Sequence, residues 1–137
     1  MLTRLVIDTN VLVAALLHPG RTPDRAIAAI LSRRAIVLLD ERIEREYRSV
    51  LSRPKFASIP ATRRDSLLSV LLSASERVSG IAESEDAMID PDDRVFVEVA
   101  RAGGAHALVT GNAKHFPSEL GLSVLSPAAL LAEWASS

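Results

Sequence analysis

Arg4-Leu5-Val6-Ile7-Asp8-Thr9-Asn10-Val11-Leu12-Val13 places an apolar run directly before an acid. Leu5, Val6 and Ile7 have the length and β-branched content of a buried strand. Asp8, Thr9 and Asn10, which end it, prefer turns and helix caps. A carboxylate therefore stands where a strand gives way to a helix. In open α/β sheets ligands bind beyond the carboxyl ends of the strands, so Asp8 is well placed for chemistry; its position suits a helix cap equally well.

The same punctuation recurs further on. Residues 35–39 form a second short β-type run, finishing on Asp40, and Ala107-Leu108-Val109 forms another, finishing on Thr110-Gly111-Asn112. Residues 122–125 read as a last strand and residues 77–81 as a short one. Between them lie helical patterns. Residues 11–17 begin a short helix stopped by His18-Pro19-Gly20, and Thr22-Pro23 reads as an N-cap with Pro at the first helical position. Residues 40–51 carry Ile43, Tyr47, Val50 and Leu51 on one stripe, and Glu46 on its edge, nearer the core side than Arg42, Arg45 and Arg48. Residues 63–75 predict a packing helix with Leu67, Val70, Leu71 and Ala74 inward. Residues 83–86 read as acidic loop. Asp90-Pro91-Asp92-Asp93 precedes a helix with Phe96, Val97, Val99 and Ala100 apolar; Asp90 and Asp92 suit the helix start, whereas Asp93 shares the face of Phe96 and Val97 and aims inward. Ser126-Pro127 caps a final helix. Strands alternating with helices imply a parallel sheet covered on both faces.

At 137 residues, with 48% hydrophobic and 24% charged residues, the chain fits one domain spanning residues 1–137, with a core that needs no staples. The absence of Cys removes disulfides, thiolate metal sites and Cys nucleophiles, and fits a cytoplasmic protein. No apolar run reaches the roughly 18 residues of a membrane span, and no signal-peptide pattern is seen. Net charge is −1, but residues 1–64 carry twelve Arg and Lys against six acids, and residues 65–137 four against eleven. Such asymmetry is compatible with basic side chains for phosphates and an acidic cluster for something else, or with solvated helix faces.

Asp8, Glu46 and Asp93 converge if the strand and helix ends meet at one sheet edge. Three ionised carboxylates repel one another, and a divalent cation removes the conflict. All-oxygen ligation selects Mg²⁺ or Mn²⁺, one or two of which can activate water and stabilise an in-line displacement at phosphorus.

Residues 6–13, then Glu46-Tyr47-Arg48-Ser49-Val50-Leu51-Ser52-Arg53-Pro54-Lys55-Phe56, then Asp90-Pro91-Asp92-Asp93 with Phe96, then Ala107-Leu108-Val109-Thr110-Gly111-Asn112 with His115-Phe116-Pro117, resemble the ordered motifs of PIN-domain proteins. The resemblance is to the PIN-family toxin branch related to VapC-like ribonucleases, and it extends from Leu5 to about Pro127. It implies a three-layer α/β/α domain around a mostly parallel sheet of about four to five strands, and Mg²⁺- or Mn²⁺-dependent cleavage of RNA. It implies Asp8, Glu46 and Asp93 as catalytic metal ligands, with Asn10 and Thr110 in support. Asn112 departs from the Asp that many PIN nucleases carry there: an amide can ligate through oxygen but brings no negative charge, which puts a second ion in doubt.

Arg21, Arg94, Lys114 and His115 are candidate phosphate contacts near the acid edge, each equally readable as a surface residue. No Gly-rich phosphate loop is present, and Asp8-Thr9-Asn10 lacks the second acid of a haloacid-dehalogenase-type phosphatase, so a phosphomonoesterase ranks third. The first expectation is an endoribonuclease toxin of a type II toxin–antitoxin pair, with RNA as substrate and a cognate antitoxin as partner. The second is a PIN-fold RNA- or protein-binding module with a degenerate centre at Asn112. A homodimer is a further expectation, with residues 67–72 and 130–134 as candidate apolar faces.

Overall fold

Five strands, Arg4–Ile7 (β1), Ile36–Leu39 (β2), Ser75–Arg77 (β3), Ala107–Val109 (β4) and Val124–Leu125 (β5), pair in parallel in the order β3-β2-β1-β4-β5. The computed structural model describes residues 3–84 and 89–136, so Glu85 and Asp86 of the expected acidic loop lie outside the described residues. β1 is the central strand. Leu5, Val6 and Ile7 are fully buried, as an apolar run must be when both its faces are covered.

Six helices complete the described fold: Thr9–Leu17 (α1), Thr22–Ser32 (α2), Glu41–Leu51 (α3), Ala61–Ser73 (α4), Arg94–Ala102 (α5) and Pro127–Ala135 (α6). The chain steps outward from β1 to β2 and β3, then crosses back to β4. Right-handed crossovers taken in opposite directions put their helices on opposite faces. Accordingly α2 packs on α1 and α6, while α5 lies against β1, β2 and β4, giving the three layers of an α/β/α fold. α3 touches both α1 and α5. The Tyr47 hydroxyl donates to the Ile7 carbonyl at 2.6 Å, so α3 passes over the carboxyl end of β1. The strand order reverses between β1 and β4, which opens a crevice beyond their carboxyl ends.

A smaller apolar cluster of Leu16, Val50, Leu51, Phe56 and Ile59 sits beneath the 3₁₀ turn Pro54–Phe56. Two arginines of α4 reach the helix C-termini beside it: Arg63 donates to the Leu16 carbonyl at 3.2 Å and Arg64 to that of Leu51 at 2.7 Å. Cations there complement the carbonyl ends of α1 and α3.

Several local expectations are corrected. α2 begins at Thr22 with Arg21 as the flanking residue, and no side chain caps it; the Asp24 carboxylate accepts the Gly20 backbone N–H at 2.7 Å instead. α4 buries Leu68 and Leu71 and leaves Val70 46% exposed, where Val70 was expected inward. Among the helices α4 packs chiefly on α3, so a single narrow row suffices, and five apolar residues between 67 and 72 left its phase open. β3 lies earlier than expected, at Ser-Glu-Arg rather than residues 77–81. It is an edge strand defined by backbone pairing of Val37 with Ser75 and Leu39 with Arg77, and its polar sequence carries no hydrophobic signal.

Candidate metal centre

Asp8 emerges from β1 and is only 7% exposed. Its backbone N–H donates to the Val109 carbonyl at 2.9 Å, which seats it against β4. It flanks α1 without making a side-chain cap bond. Instead Thr110, fully buried at the end of β4, donates its hydroxyl to Asp8 Oδ2 at 2.8 Å and accepts the backbone N–H of Asn112 at 3.0 Å. Thr110 thus couples the acid on β1 to the turn after β4. Asn10 supports the same junction from α1: its Oδ1 accepts the Gly111 backbone N–H at 3.0 Å.

Burial pushes the Asp8 carboxyl up from its ordinary value, against the hydrogen bond from Thr110 and the amides of Asn10 and Thr9, which favour the charged form. Glu46, half-buried on α3, is also raised by burial; the Arg53 charge opposes this, and Asp92 and Asp8 add to it. Asp93, half-buried before α5, is raised by burial and by the Asp8 charge, with His115 opposing. The Asp93 side chain makes no cap bond to its helix. The three predicted acids therefore share one electrostatic site. Tyr47 lies among them: burial, then the Asp8 and Glu46 charges, push its phenol up, so it stays a neutral donor.

The acids feel one another without meeting. Among the described residues no three acidic or histidine side chains stand close enough to close on an ion as they are. The donor set fits a hard divalent ion: carboxylates, an amide and a hydroxyl, with no sulfur, two of the acids without hydrogen-bond donors on their carboxylates among the described residues, and all three destabilised as anions.

The other candidates divide. His115 Nδ1 lies 3.6 Å from Asp93 Oδ2, so His115 belongs to the site, carried by the 3₁₀ turn Ala113–His115. Lys114 on the same turn is exposed with no hydrogen bond or ion pair among the described residues. Asn112 is exposed and flanks that turn. Arg94 is half-buried, with its Nε enclosed and unpartnered. Arg21 is not brought to the acids: α1 starts beside Asp8 and its nine residues, at about 1.5 Å each, leave Arg21 beyond its far end. Asp90 and Asp92 are exposed and form the turn before α5, the Asp92 N–H donating to Asp90 Oδ1 at 2.9 Å.

Sequence reasoning missed two features. Arg53, exposed two residues past the end of α3, supplies the positive charge that opposes burial at Glu46. Its i+7 spacing from Glu46 was the available signal. Glu98 is buried at 6% in α5 and pairs with Arg42 at 2.6 Å, so Arg42 does not point to open solvent with Arg45 and Arg48. An acid inside Phe96-Val97-Glu98-Val99-Ala100 was the signal there.

A central parallel sheet with an acid cluster at the β1/β4 reversal defines a class, and the chain belongs to the PIN-domain family: residues 4–114 match the family model described as PIN domain. Among solved structures, the chain is similar to one in the crystal structure of VapBC2 from Rickettsia felis bound to a DNA fragment from their promoter. The TM-score is 0.60 and the identity 18%, covering 90% of this chain and 98% of that one. No protein of curated function matches this chain. No helix among the described residues is long and apolar enough to cross a membrane.

Proposed function

We propose that this PIN domain is a metal-dependent endoribonuclease, a VapC-like toxin of the cytoplasm held in check by a cognate antitoxin. The observation that carries the reading is the shared electrostatic site of Asp8, Glu46 and Asp93 at the reversal of the strand order, each acid raised from its ordinary value first by burial. Asp8 and Asp93 would hold Mg²⁺ or Mn²⁺, with Glu46 beside them and Asn112 offering a neutral oxygen. The bound ion supplies Lewis-acid stabilisation of the phosphodiester and a nucleophile at neutral pH. Thr110 keeps Asp8 in one orientation through its 2.8 Å bond, and Asn10 keeps the Gly111 turn against α1. His115, Lys114 and Arg53 carry basic groups at the rim, where RNA phosphates would lie. Arg21 and Arg94 are not part of the proposed contact. The likeness to a chain of the VapBC2 complex supports the antitoxin partner, and exposed Val70 on α4 offers a face for a second copy.

The test is cleavage of RNA with Mg²⁺ or Mn²⁺ against excess chelator, in the native protein and in Asp8→Asn. Metal-dependent cleavage lost in Asp8→Asn is expected. Cleavage that persists undiminished in either condition refutes the reading.

A second reading is favoured by Asn112 and by the separation of the acids: an RNA- or protein-binding module that takes up metal poorly and does not cut. Calorimetric titration with Mn²⁺ separates the two, since tight uptake with turnover excludes the module. Small phosphate esters test the phosphomonoesterase, and no metal-dependent release is expected.

A further inference from the structure

Behind the acid cluster lies a second set of charges that the proposed chemistry does not use. Asp40, on which β2 ends, caps α3 by accepting the Ile43 N–H at 3.0 Å, and its other oxygen accepts from Arg42 Nε at 2.7 Å. Arg42 Nη1 reaches across to α5 and donates to Glu98 Oε1 at 2.6 Å. The second Glu98 oxygen accepts the backbone N–H of Ser84 at 2.7 Å. One guanidinium thus joins two carboxylates that are buried in the fold. Burial alone would lower the pKa of Arg42, but its bonds to Glu98 and Asp40 outweigh that and raise it.

Stability is a poor account of this arrangement, because well-packed apolar side chains commonly replace a buried ion pair at no loss. What the charges join is more informative. Arg42 stands four residues before Glu46, on the same side of α3, and Glu98 stands five residues after Asp93 on α5. The segment that Glu98 fastens at Ser84 precedes Asp93 in the chain. The planar guanidinium fixes the angle as well as the distance between its two partners, which an ammonium cannot do.

We propose that Arg42 and Glu98 are positioning residues: their ion pair sets the separation of α3 and α5, and with it the spacing of Glu46 and Asp93 across Asp8. The inference rests on the metal reading above. It predicts that Arg42→Gln and Glu98→Gln each weaken Mn²⁺ binding about tenfold or more, the range found when groups behind metal ligands are removed. The two losses are not additive in the double variant. Arg42→Gln discriminates sharply, because deleting a positive charge near a cation site would by relief of Coulomb repulsion alone tighten binding. Arg42→Lys keeps the charge without the fork and recovers only part of the affinity.

The experiment is calorimetric Mn²⁺ titration of the native protein and these variants, with Leu130→Ala in α6 as a destabilised control. A second readout is the backbone amide NMR shifts of Glu46 and Asp93 without metal. Weakened binding in Arg42→Gln and Glu98→Gln, but not in Leu130→Ala, supports the proposal. Native-like affinity in both, or a loss that matches the control at equal Tm, overturns it. Should the native protein take up no Mn²⁺, the metal reading fails, and the clasp is decided by the amide shifts. Movement at both Glu46 and Asp93 upholds it, and movement confined to the substituted residues' neighbours overturns it.

Discussion

Replacing Tyr47 by Phe removes one oxygen from the centre of the molecule and changes almost nothing else. The ring is fully buried, so the isosteric Phe fills the same space and opens no side-chain cavity. What is lost is the 2.6 Å bond to the Ile7 carbonyl, the last of β1 and the neighbour of Asp8. A buried neutral hydrogen bond removed from one side costs about 1–2 kcal/mol. Unfolding entropy of about 2.1 cal/mol/K per residue comes to roughly 0.29 kcal/mol/K for 137 residues. Tyr47→Phe therefore lowers Tm by about 3–7 °C, read by calorimetry in chelator so that no ion contributes. Mn²⁺ affinity falls as well, since the same bond holds α3, and Glu46 with it, over the end of β1. A Tm within about 1 °C of native refutes the argument that this hydroxyl fastens α3 to the sheet.

The pH response follows from the raised acids. Asp8, Glu46 and Asp93 bind protons more tightly folded than unfolded, so the metal-free protein gains stability as pH falls from their raised values toward about 4, the ordinary carboxylate value. Glu44 acts oppositely: Arg77 and Arg48 hold it below the usual range, so its contribution is lost as pH falls below about 4. Tm measured against pH in chelator tests the sign, and a monotonic fall on acidification from neutral contradicts it. Mn²⁺ affinity declines over the same window, because the ligands must shed protons, and calorimetry at stepped pH checks this. Asn112→Asp adds the missing charge and tightens Mn²⁺ binding, and unchanged affinity would remove Asn112 from the site. Gly103→Ala drives a methyl to 2.8 Å from Leu38 Cδ1 and 2.9 Å from Val78 Cγ2, a cost of about 1–3 kcal/mol in denaturant unfolding.

The features legible in the sequence were those written within a few residues of one another. An apolar run ending on Asp8, and another ending on Thr110, announce strand ends, and Ser126 does cap α6 by accepting the Ala129 N–H at 3.0 Å. Glu46 on the edge of its stripe and Asp93 ahead of Phe96 were legible for the same reason. The rest depends on partners far away in the chain. Arg42 has the same polarity as Arg45 and Arg48, and its bond to Glu98, 56 residues on, joins it to α5. The bond from Thr110 to Asp8 spans 102 residues and exists only because β4 pairs with β1. β3 carried no signal because an edge strand of Ser, Glu and Arg needs no hydrophobic side.

The place of β1 between β2 and β4 also governs when the acids can act together during synthesis. β1 precedes β4 in the chain, so one of its flanks stays open until residues 107–109 have been made. Until then Asp8 lacks the backbone seat at Val109 and the Thr110 hydroxyl that orients it. A partly made chain therefore carries the acids without the wall that assembles them.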